Sequence, residues 1–189
     1  MNPFDTTFSH LSCLALTHIR YDYLKFTSSS PLNSKPKYFF ALNFYNYASL
    51  FSYLLNIIIE IIIFLRLSNC VLFIIEGRFH DNIYEILHFL TLLFAVLNLI
   101  YIFTTNGINP KAGANIDHIE TFATLRNQAL YPLIFFTNSF DFDTIILFIN
   151  DIALCIKDIL KLIYQRHLQQ ADITYAMDWI YNGSIFYNV

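Results

Sequence analysis

The chain has 189 residues, of which 56% are hydrophobic and only 13% are charged, and its formal net charge is −3 at pH 7. Ordinary soluble domains carry about 25% charged residues, so this composition is typical of a membrane protein. The length leaves room for one domain or one small helical bundle. Because binding to phosphates needs clustered Lys and Arg, the acidic balance argues against a nucleic-acid partner.

Residues 1–37 are predicted to form an extramembrane N-terminal segment. Residues 7–24 have the apolar spacing of a short helix, which we expect to lie on the membrane surface or on a partner. Residues 28–37 contain Ser30-Pro31 and Lys35-Pro36, which are typical of a polar linker.

Two apolar runs predict membrane helices within residues 38–105. The first run, residues 38–59, is uncharged and 22 residues long. A bilayer core of about 30 Å is crossed by roughly 20 helical residues. The second run covers about residues 85–105 and ends before Asn106-Gly107 and Pro110, which favour a turn. The sequence therefore predicts an all-α membrane protein with two transmembrane helices.

The remainder is predicted to lie mostly outside the bilayer. Residues 106–129 are a polar loop, and residues 130–170 combine a short apolar segment with a further helix. Over residues 144–164, apolar side chains recur at steps of three and four, which predicts an amphipathic helix. We expect this helix to lie at the membrane interface or against a partner subunit, or to form a third membrane helix if its charged side chains face protein. Residues 171–189 form an aromatic tail that we expect to dock on a partner.

Two carboxyl groups beside the apolar runs are candidates for a proton path. Glu60 follows the first run, and Glu76 follows the apolar residues 71–75. A carboxyl group in hydrocarbon must be neutral or paired, which makes it a candidate for proton transfer. The alternative for Glu60 is a position at the headgroup level, where water solvates the carboxylate.

The sequence predicts no catalytic residue, no cofactor and no metal site. Only His88 among the six histidines falls in a predicted span, so a second haem ligand is missing. The three cysteines lack the spacing of zinc or iron–sulfur ligands. No HExxH, Ser-His-Asp order or Gly-rich phosphate loop is present, so an independent enzyme is not expected.

Residue usage favours amino acids with A/T-rich codons. Phe (20) and Tyr (13) are abundant, as are Ile and Asn, whereas Gly (4) and Pro (5) are scarce. The first residues, Met1 to Asp5, do not resemble a basic import presequence. With the apolar runs, these features resemble mitochondrially encoded respiratory-chain membrane subunits of divergent, ciliate-like type. The resemblance implies a multi-pass protein of the mitochondrial inner membrane. A nuclear-encoded protein of an AT-rich protist is the alternative.

Residues 66–77 resemble a stretch of the small 4L-type membrane subunit of NADH dehydrogenase. In that family a basic turn, here Arg66, leads into a helix that carries a membrane glutamate, here Glu76. The likeness implies that Glu76 is a buried proton-path carboxyl. The third predicted helix has no clear glutamate to match the one that the family carries there, and Asp151 is the nearest candidate.

The predicted function is an integral subunit of a mitochondrial respiratory-chain complex, mainly a scaffold, which supports proton transfer if Glu60 or Glu76 is buried. The expected partners are other subunits of that complex and lipids, with no nucleic acid. Two alternatives stay open, a 4L-type subunit of NADH dehydrogenase (complex I) and a membrane subunit of the mitochondrial ATP synthase. A transporter component would show internal repeats, and the sequence has none.

Overall fold

A computed structural model describes residues 13, 18–25, 35–44, 48–76, 83–105, 118–149, 154–175, 178–179 and 186–187. Within these residues, a four-stranded parallel sheet is covered by helices on both faces. The strands of this sheet are β1 (Tyr38–Phe44), β2 (Cys70–Glu76), β3 (Ile100–Thr105) and β4 (Ile145–Ile149). The helices are α1 (Ala48–Leu65), α2 (Ile83–Val96), α3 (His118–Phe135) and α4 (Ile156–Gln169). Three 3₁₀ helices span His18–Lys25, Leu67–Asn69 and Thr137–Ser139, and two short strands, β5 (Asp178–Trp179) and β6 (Phe186–Tyr187), pair antiparallel.

The strand order is β3-β2-β1-β4, and every neighbouring pair is parallel. The chain passes from β1 through α1 to β2 and then through α2 to β3, moving outward in one direction. Helix α3 then leads to β4, which lies on the other side of β1. The strand order therefore reverses between β1 and β4, while α1 and α4, the helices that follow these two strands, pack in the same core.

The two faces of the sheet pack on different helices because side chains alternate along a strand. On one face, Phe40 and Leu72 join the larger core, to which α1 and α4 contribute. On the other face, Phe39 and Ala41 pack with Leu125 and other residues of α3. Every residue of β1 and β2 is buried. Strands that are covered on both faces appear in the sequence as continuous hydrophobic runs, which explains why β1 and β2 are so apolar.

The N-terminal segment is attached to this core. Tyr21 and Leu24 of the first 3₁₀ helix are buried. The Tyr38 hydroxyl donates a hydrogen bond to the Leu24 carbonyl oxygen at 2.8 Å. A disulfide joins Cys13 to Cys155, the residue that precedes α4. Sequence reasoning gave the cysteines no role, because the two partners are 142 residues apart and only the fold brings them together.

The predicted all-α membrane fold is wrong. The first apolar run consists of β1 followed by α1, and the second consists of α2 followed by β3. Each run has the length of a transmembrane helix because a strand and a helix with an apolar face lie next to each other in the sequence. Within the part of the chain that the structure describes, none of the helices combines the length and the hydropathy that a bilayer crossing requires.

The predicted helices at the two ends of the chain also differ from the structure. Residues 144–164 contain β4 and the first part of α4, with residues 150–153 between them outside the described residues. Apolar side chains from a strand and from a helix together produced the apparent helical period. Of the helix predicted over residues 7–24, the structure describes residue 13 and the 3₁₀ helix that begins at His18.

Candidate functional site

The carboxyl ends of three neighbouring strands carry polar side chains. The register aligns Asn43 with Ile75 and Ile75 with Thr104, and the next row aligns Phe44 with Glu76 and Glu76 with Thr105. The strands are parallel, so these polar residues share one edge of the sheet. In doubly wound sheets, ligands bind outside this edge at the topological switch point. The fold therefore predicts the candidate site at the carboxyl edge of the sheet, near the reversal of strand order between β1 and β4.

Asn43 lies at this edge on the α3 face of the sheet. Its side chain is 7% exposed, and alternation along β1 places it on the same face as Phe39 and Ala41. The carbonyl oxygen of the side chain, Oδ1, accepts no hydrogen bond from the described residues. Leaving such an acceptor buried without a donor costs about 1–3 kcal/mol, which a bound ligand with an O–H or N–H group would offset.

Glu76 lies at the same edge on the opposite face, beside Phe44 of β1. It is 1% exposed. The Phe44 ring packs edge-to-face on Phe51 of α1, with 5.1 Å between the ring centroids. A carboxyl group in this apolar setting holds its charge only with compensating contacts. Whether Glu76 transfers a proton stays a prediction.

Glu60, the other proton-path candidate, lies on the exposed side of α1. The Asn56 side-chain amide donates a hydrogen bond to Glu60 Oε1 at 2.9 Å. Helix α1 starts after the carboxyl end of β1 and leads back to the amino end of β2, so Glu60 lies toward the amino edge. The structure therefore does not bring Glu60 and Glu76 together.

Arg126 lies on α3, over the middle of β4. Its side chain is exposed, and its guanidinium carbon lies 5.3 Å from the centroid of the Phe148 ring on β4. Phe148 pairs with Ala41 of β1, so this cation–π contact links α3 to β4 near the middle of the strands. Sequence reasoning missed Arg126 because it lies in a segment predicted as a polar loop.

The missed signal in the sequence is a repeated pattern. Each apolar strand of the sheet ends in or just before polar residues, and a helical segment follows. Asn43, Glu76 and Thr104 follow this pattern at β1, β2 and β3. Strand β4 continues in the sequence with Asn150 and Asp151, which lie outside the described residues. This pattern is typical of a parallel α/β sheet with its site at the carboxyl edge.

The amino edge has a different character. The Lys37 amide donates to the Asn69 carbonyl oxygen at 2.8 Å, and the Lys37 carbonyl oxygen accepts from the Ile145 amide at 2.8 Å. Lys35 forms an ion pair with Asp141 at 3.2 Å. These bonds join the amino ends of β1, β2 and β4 to one another, and Lys35 and Asp141 also line a cavity at this edge.

The amino edge also holds groups with shifted pKa values. Burial raises the pKa of the Tyr38 phenol and of the Cys70 thiol, which occupy paired positions on β1 and β2. Burial lowers the pKa of the Lys37 ammonium, and the nearby Asp143 carboxylate partly opposes this effect. The raised pKa keeps the Cys70 thiol protonated and unreactive at neutral pH.

Within the described ranges, no three side chains of His, Cys, Asp or Glu are grouped so that they could hold a metal ion. His88 is exposed on α2, and its ring lies against Tyr84, with 6.2 Å between the ring centroids. Its position on the protein surface is typical of a solvated histidine.

A model of one protein family matches residues 37–189, and that family is described as Cryptococcal mannosyltransferase 1. The match begins just before β1 and includes the whole parallel sheet. No curated protein and no solved structure shows significant similarity to the chain.

The match overturns the identification from sequence. The resemblance to mitochondrial respiratory-chain membrane subunits, the likeness to the 4L-type subunit, the ATP synthase alternative and the inner-membrane location are all wrong. Codon bias reflects base composition and not function, and the apolar runs are buried strands beside helices. The predictions on lipids and nucleic acid as partners stay predictions. The chain belongs to the Cryptococcal mannosyltransferase 1 family.

Proposed function

We propose that this chain transfers a mannosyl group from a nucleoside-diphosphate mannose, and that the donor binds at the carboxyl edge of the sheet, near the reversal of strand order between β1 and β4. The observation that supports this most is the family match over residues 37–189, because it covers the whole parallel sheet. The family description names a mannosyltransferase, and the open parallel α/β sheet is an architecture that binds nucleotides at this edge.

The chemistry of such a transfer sets what the site must do. The bond between the anomeric carbon and the phosphate oxygen breaks, and the nucleoside diphosphate leaves with the electron pair. An acceptor hydroxyl oxygen forms the new bond to that carbon and gives its proton to a base. The site therefore needs donors for a diphosphate, hydrogen-bonding groups for the donor's hydroxyls and a carboxylate or other base for the proton.

Glu76 and Asn43 supply two of these functions in the proposal. The Asn43 amide oxygen, which has no donor among the described residues, accepts a hydrogen bond from a hydroxyl of the donor. The buried Glu76 carboxylate is the base that takes the proton from the acceptor hydroxyl. The sequence-based idea that Glu76 supports proton transfer is thus proposed here for a mannosyl transfer.

The test uses the purified full chain with GDP-mannose as the probe. Titration calorimetry measures binding, and release of GDP with transfer of labelled mannose to a panel of mannose-containing oligosaccharides measures the reaction. We expect saturable binding of GDP-mannose that exceeds binding of UDP-glucose. A chain that is folded by circular dichroism but binds no GDP-mannose, with or without added Mn²⁺, would overturn the proposal.

A further inference from the structure

We propose that one outer surface of the chain docks on membranes that carry anionic lipids, without any helix crossing the bilayer. The surface lies where the first 3₁₀ helix packs beside α4, on the face of the sheet opposite α3. The Tyr38–Leu24 hydrogen bond attaches this 3₁₀ helix to the amino end of β1, away from the residues proposed for mannosyl transfer. We call it the basic–apolar surface, and its residues are Ile19, Arg20, Tyr23, Lys161, Tyr164 and Leu168.

The first 3₁₀ helix has an inner and an outer side. Tyr21 and Leu24 lie on the inner side and are buried in the larger core. Ile19 lies on the outer side and is 87% exposed, and Arg20 and Tyr23 are exposed near it. An aliphatic side chain, a cation and an aromatic ring with a polar tip are therefore presented to the solvent together.

Helix α4 continues the same surface. Lys161, Tyr164 and Leu168 follow one another at steps of three and four residues, so they share one side of the helix. The centroid of the Tyr164 ring lies 4.6 Å from the Arg20 guanidinium carbon and 6.2 Å from the centroid of the Tyr23 ring. These contacts place the side of α4 that carries Lys161 and Leu168 next to the outer side of the first 3₁₀ helix.

The cations of this surface retain their positive charge. Among the described residues, Asp22 pairs with Lys25 at 2.6 Å, and no ion pair involves Arg20 or Lys161. The acid of α4, Asp158, accepts a hydrogen bond from the backbone amide that precedes the helix. The whole chain has a net charge of −3, so the positive charge of this surface is a local excess.

This combination of groups favours an anionic lipid surface as the partner. Lys and Arg are attracted by anionic headgroups, while aliphatic side chains enter the boundary of the acyl chains. Ile19 and Leu168, which is 63% exposed, supply the aliphatic groups, and Tyr23 suits the interface because its hydroxyl stays in water. Lys157, one turn before the lysine of the surface, adds a further cation. The exposed side of α2 is also apolar, but that helix carries Glu85 and no Lys or Arg.

The experiment measures binding of the purified full chain to lipid vesicles by flotation. One set of vesicles contains about 30% phosphatidylserine in phosphatidylcholine, and the other contains phosphatidylcholine alone. We expect binding to the anionic vesicles at about 0.1 M NaCl and at least tenfold weaker binding at about 0.5 M, because salt screens the attraction. Binding to the neutral vesicles should be at least tenfold weaker than to the anionic ones.

Single substitutions locate the docking surface. Arg20→Ala and Lys161→Ala should each weaken binding to the anionic vesicles about fivefold, because each removes one cation near the headgroups. Leu168→Ser should weaken it several-fold through loss of apolar contact. Arg126→Ala is the matched control, since Arg126 also stacks on a ring, that of Phe148, but lies on the α3 face. This variant should bind within twofold of wild type.

The binding of GDP-mannose separates this inference from the proposed function. It should stay within twofold of wild type in Arg20→Ala and Lys161→Ala. A wild-type chain that is folded by circular dichroism but does not bind the anionic vesicles, or binds neutral ones equally well, would contradict the inference. Equal losses in Lys161→Ala and Arg126→Ala would also contradict it, because the position of the cation would then be irrelevant.

Discussion

The two edges of the parallel sheet differ in how their polar groups are satisfied. At the amino edge, the Thr144 hydroxyl donates to the Pro36 carbonyl oxygen at 3.0 Å, and the Lys35 ammonium pairs with Asp141. At the carboxyl edge, Asn43 Oδ1 has no donor among the described residues. The polar groups named at the amino edge are thus satisfied within the chain, whereas the Asn43 amide oxygen at the carboxyl edge is not.

The largest expected effect concerns the covalent bond next to the carboxyl edge. The Cys13–Cys155 disulfide attaches the N-terminal segment to the start of α4 and closes a loop of about 142 residues. Replacing both cysteines by Ser should lower the free energy of unfolding by about 2–5 kcal/mol, because the unfolded chain regains freedom. Urea denaturation of wild type with and without TCEP provides the measurement.

The doubly substituted variant is the control for that experiment, since TCEP should leave its stability unchanged. Equal stability of oxidised and reduced wild type would show that the disulfide does not brace the fold.

The next largest expected effect distinguishes Glu76 from Glu60, the two carboxyl groups that the sequence singled out. Glu76→Gln keeps the size of the side chain and removes its charge, and we expect mannose transfer to slow by about 100-fold. Glu60→Gln is the matched control because Glu60 is exposed on α1, away from the carboxyl edge. Initial rates with GDP-mannose measure both. Equal rates for wild type and Glu76→Gln would remove Glu76 from the site.

Thr144→Val tests whether the amino edge of the sheet contributes to stability and not to ligand binding. The Thr144 hydroxyl donates to Pro36 and accepts from the Asp141 amide at 3.1 Å, so its loss should cost about 1–2 kcal/mol of stability. GDP-mannose affinity should stay within twofold of wild type. A large loss of affinity with little loss of stability would place ligand contacts at the wrong edge and contradict the comparison.

The smallest effect is an alkaline instability at the amino edge. Burial raises the pKa of Tyr38, whose hydroxyl donates to the Leu24 carbonyl oxygen. The folded chain keeps this proton where the unfolded chain loses it, so the stabilisation is complete below pH of about 10 and declines above it. Tyr38→Phe should cost about 1 kcal/mol at pH 8 and flatten the decline above pH 10.

Urea denaturation at several pH values between 8 and 11 measures that difference. An equally steep decline in Tyr38→Phe would assign the alkaline instability to other groups.

The sequence predicted which residues are buried better than it predicted whether they form strands or helices. Residues 38–59 are apolar because β1 and the inner face of α1 are buried, and hydropathy alone does not separate a strand and helix from one long helix. Asn43 was therefore counted within a membrane span. Glu76 was found because a carboxyl after an apolar run is conspicuous. Arg126 was missed because its contact with Phe148 depends on strand order, which no local pattern encodes.

Hydrogen–deuterium exchange with and without GDP-mannose tests most directly whether the ligand site lies at the carboxyl edge, near the reversal of strand order between β1 and β4. We expect added protection in peptides that cover residues 40–48, 118–128 and 145–155, at the carboxyl edge. Peptides that cover residues 66–70 and 136–144, at the amino edge, should exchange as in the unbound chain. Binding accompanied by protection at the amino edge, with none at the carboxyl ends of β1 and β4, would contradict the account.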